Sequence, residues 1–195
     1  MSAEYVKNNE KYAKEQHKSP LPVTPTKKIL ILTCMDARID VFSALGLEQG
    51  EAHIVRNGGG RVQDAIRSIV VSQRLLGTRE VLIIHHTDCG FTKFTTDHLI
   101  DILGKEVDEA GRKELDKIGN FGEIRSEELE ESVKEDVRLL KAHPLVLKDT
   151  KVSGWIFRVE DGKLVYNILQ YIHIYNAIRM ARFPVSSEMM VTEIR

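Results

Sequence analysis

"KILILTCMDARID", residues 28–40, runs from a block of branched apolar residues straight into a cysteine, an acid and a base. Ile29, Leu30, Ile31 and Leu32 are consecutive, without the polar alternation of a half-exposed strand. That pattern predicts a strand over residues 28–33 covered on both faces. Two more blocks read the same way: "AHIVRN" (52–57) and "EVLIIHH" (80–86). Between them lie a short helical piece at about 40–46 and "RVQDAIRSIVVSQRLLG" (61–77). In the latter, Val62, Ile66, Ile69, Val70 and Leu75 form the stripe of an amphipathic helix, closed by Gly77. Strand, helix, strand, helix, strand is the order of an α/β fold. The expected architecture is a mostly parallel central sheet flanked by helices.

Residues 1–24 read as an amino-terminal helical arm. They carry high charge and weak helical periodicity (Tyr5, Tyr12, Ala13), and Pro20, Pro22 and Pro25 break any helix that follows. From 91 to 142 the chain reads as helices. One is marked by Phe94, Leu99, Ile102 and Leu103. A second, "SEELEESVKEDVRLLKAHP" (126–144), is expected to be capped by Ser126 and stopped before Pro144. "KVSGWIFRV" and "KLVYNIL", joined by "EDGK", predict a hairpin that adds an antiparallel edge. The α/β domain is thus expected over residues 25–168. In the extension 169–195 and just before it, Ile168, Tyr171, Ile172, Ile174, Tyr175 and Ile178 make an apolar stripe suited to packing on another subunit.

A chain of 195 residues, 42% hydrophobic and 29% charged, has the length and balance of one globular domain. Its net charge of −1 provides no field for nucleic acid or an anionic membrane. No apolar stretch approaches the ~18–20 residues that span a bilayer, and the polar start lacks the apolar core of a secretory signal. The expected setting is cytoplasmic. Two cysteines cannot build a disulfide framework, and in a reducing compartment cysteines near His and Asp point to metal or catalysis.

Parallel strands bring their carboxyl ends to one edge, where open α/β sheets place their sites. Cys34 follows the first strand, His86 ends the third, and Cys89 sits three residues further on. Asp36 and Arg38 lie in the turn after Cys34, so five polar groups from two loops converge. Two thiolates and an imidazole suit Zn2+ and balance its charge, and three protein ligands leave the fourth position that a catalytic zinc keeps open. Asp36 is near enough to fill that position. Arg38 is suited to grip Asp36 through a bidentate pair and hold it off the metal, leaving Asp36 as the hydrogen-bond acceptor for the proton of zinc-bound hydroxide, which aims the hydroxide's lone pair at a substrate carbon.

At these residues the sequence resembles the β-class carbonic anhydrases. Their pattern C-x-D-x-R followed by H-x-x-C reads here Cys34-Met-Asp36-Ala-Arg38 and His86-Thr-Asp-Cys89, and "VRNGGGRV" (55–62) and the final hairpin also look like family segments. The resemblance covers about residues 25–168. It implies one Zn2+ per subunit on Cys34, His86 and Cys89, with Asp36–Arg38 as a catalytic dyad. The implied reaction is reversible hydration of CO2 to bicarbonate by zinc-bound hydroxide. It also implies a homodimer or a dimer of dimers. Some relatives have a bicarbonate pocket that drives the aspartate onto zinc, marked by a tryptophan three residues before the first cysteine. Ile31 stands there in this chain, which favours the open form. The same compact branch includes hydrolases of carbonyl sulfide and carbon disulfide. Gly58, where alanine is usual, and Phe91 depart from the pattern beside the expected substrate pocket, which also takes in Gly59. A zinc-binding protein without turnover is the non-enzymatic alternative.

Other polar residues have plainer expectations. Gly58, Gly59 and Gly60 permit a tight turn or positive φ, and their N–H groups could approach an anion where the helix over 61–76 begins. His85 should point to the opposite side of its strand from His86 and be structural. Asp88 is expected to cap the helix that follows. The remaining histidines, His17, His53, His98, His143 and His173, have no partner in pattern from which to name a proton shuttle.

Overall fold

The protein is described from a computed structural model covering residues 2–125 and 128–165. Five strands form one sheet in the order β2-β1-β3-β4-β5. They are β1 (Ile29–Cys34), β2 (Ala52–Asn57), β3 (Glu80–His86), β4 (Lys151–Phe157) and β5 (Leu164–Val165). β1 pairs in parallel with both β2 and β3, and β3 pairs in parallel with β4. Only β5 runs antiparallel, on the edge, as the hairpin reading predicts. β1 is an interior strand because it has no polar face to show water: Leu30, Ile31 and Leu32 are all fully buried. Removing such side chains from water is worth roughly 1.5–3 kcal/mol each.

The two faces of the sheet are covered differently. On one, Leu30, Leu32, Val81, Ile83, Val152 and Ile156 pack against α3 (Val62–Arg74) and α6 (Leu129–Ala142). On the other, Ile31, Ile84 and Phe157 pack against Val41 and Leu45 of the short α2 (Val41–Leu45). The chain leaves β1 for β2 on one side and returns to β3 on the other. The order of strands therefore reverses at β1, and the carboxyl ends of β1 and β3 open onto a topological switch point.

Local signals explain most element ends. Asp40 caps α2 by accepting from Ser43 N, and Gly46 ends it in the left-handed conformation (φ 62°). After α3, Gly77 adopts φ 76° and Thr78 N donates to Ser72 O, which turns the chain off the helix. Among the described residues, the long crossover from β3 to β4 holds three α-helices where two were marked: α4 (Thr96–Glu106), α5 (Glu109–Ile118) and α6. α5 escapes a periodicity reading because only Leu115 in it is buried. Instead its start is set by Asp108, which accepts from Gly111 N. α6 ends at Ala142, ahead of Pro144, as expected, while Ser126 lies outside the described residues. The arm does contain a helix, α1 (Ser2–Glu15), none of whose residues is buried. It is tethered by Tyr12 and Lys18 to Gln49 and Glu48. Among the described residues no helix is long and apolar enough to cross a membrane. The stripe of residues 168–178 lies outside the described residues.

Candidate metal centre

The switch point gathers the predicted ligands. Cys34 is the last residue of β1, paired in register with Asn57, one residue deeper in the sheet than the sequence reading placed it. His86 ends β3, and Cys89 begins the 3-10 turn Gly90–Thr92. All three are buried, at 1–3% exposure, and their ligand atoms lie within 4.8 Å of one another. The two Sγ atoms are 3.9 Å apart. A tetrahedral zinc with two thiolates would set them about 3.8 Å apart.

His86 supplies the sharper test of fit. Its Nδ1–H is placed to donate to the carbonyl of Thr87 at 2.9 Å, which leaves Nε2 with a bare lone pair. That Nε2 is buried and has no hydrogen-bond partner among the described residues. A fully buried, unpartnered imidazole nitrogen is costly, and here it faces two sulfurs. A soft cation with one nitrogen and two sulfur donors resolves it.

The ionisation of the trio fits the same picture. The Cys89 sulfur beside it, then the neighbouring His86 imidazole, draws the Cys34 thiol well below its ordinary range in spite of burial. The neighbouring Cys34 sulfur and burial push the Cys89 thiol up. Burial lowers His86, and the adjacent Cys34 more than offsets it, so the imidazole is raised. Protein groups alone can stabilise one thiolate here, and a cation is what favours two.

Asp36 and Arg38 meet as expected. Arg38 Nε donates to Asp36 Oδ1 at 2.9 Å and Nη2 to Oδ2 at 2.8 Å, and the Arg38 backbone N–H adds a third bond to Oδ1 at 2.9 Å. These bonds hold the Asp36 carboxyl well below the usual carboxylate range. Its Oδ2 lies 3.9 Å from His86 Nε2, beside the ligand cluster.

Asp88 corrects one expectation. It does not cap the next helix; Thr95 caps α4, accepting from His98 N. Asp88 instead takes φ 49°, and its carboxylate bonds Arg38 Nη1 (3.0 Å) and Lys93 Nζ (2.9 Å). The turn that brings Cys89 towards Cys34 points Asp88 at the guanidinium rather than along the chain.

The glycines divide by role. Gly59 and Gly60 have positive φ (69° and 71°), as expected, and a Cβ on Gly60 would stand 3.0 Å from Cys34 N. Gly58 is not in that region. Its hydrogen makes room for the Phe91 ring, whose Cζ would lie 2.0 Å from a Cβ at position 58. The two departures from the family pattern are therefore one contact. The start of α3 offers no free anion site at Val62, whose N–H donates to Asp136 Oδ2.

Sequence reasoning missed two supports. Arg56, on β2, donates to the carbonyls of Cys34 (2.9 Å), Asp36 (2.5 Å) and Ile39 (3.1 Å), fixing the loop that carries Asp36 and Arg38. Its place in "VRNGGG" was the available signal. On the opposite face, His85 is fully buried, with Nδ1 against Ser132 Oγ (2.9 Å) and Nε2 against Asp136 Oδ2 (3.0 Å), and Arg61 Nε is 3.4 Å from the same oxygen. His85 is structural, as expected, but Asp136 had no local signal because its partners are remote in sequence.

Comparisons with known proteins agree with this geometry. The family model described as carbonic anhydrase matches residues 29–164. The chain is 43% identical over 162 residues to beta-carbonic anhydrase 1 of Mycobacterium tuberculosis, covering 83% of this chain and 94% of that one. It is 34% identical over 151 residues to a carbon disulfide hydrolase of Acidithiobacillus thiooxidans, covering 71% and 76%. A solved carbonic anhydrase from Glaciozyma antarctica superposes with a TM-score of 0.76 at 47% identity, over 84% of this chain and 94% of that one. With the sheet, the Cys-His-Cys cluster and these likenesses together, the chain belongs to the β-carbonic anhydrase family, whose members depend on zinc.

Proposed function

We propose that the protein catalyses the reversible hydration of CO2 to bicarbonate, with zinc held by Cys34, His86 and Cys89. The observation that carries this reading is the orphaned His86 Nε2, buried against two sulfurs and beside a carboxylate restrained by arginine. The likeness to a mycobacterial beta-carbonic anhydrase supports CO2 as substrate. Zinc in such a site lowers the pKa of a water molecule to about 7, a figure known from carbonic anhydrase with a different ligand set rather than derived from this geometry. The Asp36 carboxylate, kept ionised by Arg38, accepts a hydrogen bond from the attacking water and turns its lone pair towards the substrate carbon. Arg38 keeps that carboxylate from moving onto the metal. Gly58 with the Phe91 ring against it, and Gly59, are assigned to the substrate pocket, where the ring offers a linear molecule an apolar surface.

Stopped-flow CO2 hydration by zinc-loaded protein is expected to exceed the buffer rate by orders of magnitude; a rate equal to buffer would falsify the assignment. A second reading, hydrolysis of carbonyl sulfide or carbon disulfide, is favoured by the likeness to carbon disulfide hydrolases and by the Phe91 ring seated on Gly58. Sulfide release measured on the same preparation separates it from CO2 turnover.

The assembly is proposed as a homodimer or dimer of dimers, with residues 169–195 contacting another subunit and residues 1–24 serving as an arm. Cutting the chain after Leu169 should lower the mass seen by size-exclusion chromatography, and an unchanged mass would remove the proposal. A cytoplasmic setting suits the two free thiols; alkylation mapping in cells, finding both oxidised, would contradict it.

A further inference from the structure

Arg38 is held from two sides. Asp36 takes its Nε–H and one Nη2–H. The opposite side belongs to Asp88, whose Oδ2 accepts from Nη1 at 3.0 Å and whose backbone carbonyl accepts from Nη2 at 2.9 Å. Four of the guanidinium's five N–H donors are thereby used. A planar fork bound along two edges cannot swing without breaking both sets. Asp36 alone could not supply this restraint, because a bidentate pair can pivot as a unit.

The backbone at Asp88 is shaped for the contact. A φ of 49° is unusual for a residue other than glycine, and aspartate is among the side chains that tolerate it. Such conformations cost energy and persist where surrounding structure fixes them. Here the turn lets the carbonyl and the carboxylate of one residue face the same guanidinium. Lys93, 2.9 Å from Oδ1, balances the second carboxylate oxygen. Asp88 lies between His86 and Cys89 in sequence, so the loop that brings two ligands also brings the clamp.

We propose that Asp88 is a positioning residue: its carboxylate and backbone carbonyl hold Arg38 in the orientation that keeps Asp36 beside the metal position without occupying it. This rests on the reading of Asp36 and Arg38 as the dyad. When the clamp is loosened, Arg38 pivots with Asp36, whose Oδ2 starts 3.9 Å from His86 Nε2, and the carboxylate competes for the open position.

Two variants test it. Asp88→Asn removes the charge and retains the side-chain shape and tolerance of positive φ. Asp88→Gly removes the side chain and leaves the backbone at ease. The ion pair is about half exposed (side chains at 47% and 53%), so screening limits the effect. A two- to five-fold fall in kcat/KM is expected, roughly what a partly exposed pair is worth, carried by kcat with KM unchanged. The profile of kcat/KM against pH should shift to higher pH in both variants, since a bound carboxylate must be displaced. Two readouts do not depend on turnover. The visible absorption of the cobalt-substituted protein should change towards a site closed by a fourth protein ligand. In the metal-free protein, the Nε–H resonance assigned to Arg38 should lose protection from solvent exchange. Cobalt spectra, pH profiles and Arg38 exchange all matching the unaltered protein would overturn the clamp. So would a fall in kcat/KM that only follows the fraction folded. The spectral and exchange readouts decide on Asp88 even if the unaltered protein fails to hydrate CO2, so the two failures register separately.

Discussion

Replacing Gly58 with alanine tests how the pocket wall is built. The added Cβ would fall 2.0 Å from Phe91 Cζ and 2.6 and 2.8 Å from its two Cε atoms, so the ring must leave. It is not free to do so: Phe91 packs edge-on against Phe94 at 5.5 Å between centroids, and its carbonyl accepts from Ile124 N. Overpacking of this kind typically costs about 1–3 kcal/mol. Phe91→Ala alone opens a gap, at about 2–4 kcal/mol for a ring that is only partly buried. In the double variant the new methyl enters the space the ring vacates. Its total cost should therefore fall short of the sum by about 1–3 kcal/mol. Thermal unfolding at one protein concentration, with zinc present, measures the cycle, and the CO2 and carbonyl sulfide rates of the four proteins report on the pocket. The reasoning fails if Gly58→Ala costs nothing, or if its cost is the same with and without the ring.

Other outcomes follow from the site and its supports. Cys34→Ser should abolish stoichiometric zinc, measured by metal analysis of dialysed protein, because one of three donors is lost. Asp36→Ala should keep the zinc and lower kcat by about 10²–10⁴ if it positions a proton in the rate-limiting step; an unchanged kcat would remove Asp36 from that role. Because Arg38 lowers the folded-state pKa of Asp36, the stability this pair contributes is present above the ordinary carboxylate pKa of about 4 and is lost as pH falls below it. Urea unfolding of metal-free protein should thus show a gap between the unaltered chain and Asp36→Asn that is constant from about pH 5 to 9 and closes at lower pH. Asp136→Ala strands His85, Val62 N–H and Arg61 together, and should cost about 3–5 kcal/mol, read as a lower unfolding midpoint.

The parts of this molecule that were legible beforehand are those encoded locally or in strand order. Ile29–Leu32 and residues 80–86 had to be buried strands, and once parallel they had to deliver Cys34 and His86 to one edge. The dyad was legible because both partners lie within three residues. Asp88 was misread since a loop aspartate before a helical region usually caps it, and nothing local reveals a guanidinium 50 residues away in sequence. Asp136 was silent for the same reason, and Arg56 was marked only by its place in "VRNGGG": their roles exist only after the chain has closed. Gly58 and Phe91, the two departures from the family pattern, turn out to touch, and a ring held where a methyl would stand cannot be read from either residue alone. α5 showed that a helix with a single buried side chain leaves no periodic mark and is announced only by its cap.

The three carbonyl bonds of Arg56 bear on how this centre acquires its ion. All of them end on backbone carbonyls and none uses a ligand atom of the cluster, so the loop from Cys34 to Ile39 keeps its shape by bonds internal to the protein. Uptake of a cation then requires little loss of backbone freedom, and affinity is not reduced by the ordering that a slack loop would undergo. Discrimination among ions falls to the fixed spacing and softness of the donors. An ion preferring six hard oxygens cannot recruit them by reshaping this loop, whereas one content with two sulfurs and a nitrogen meets its ligands already in place.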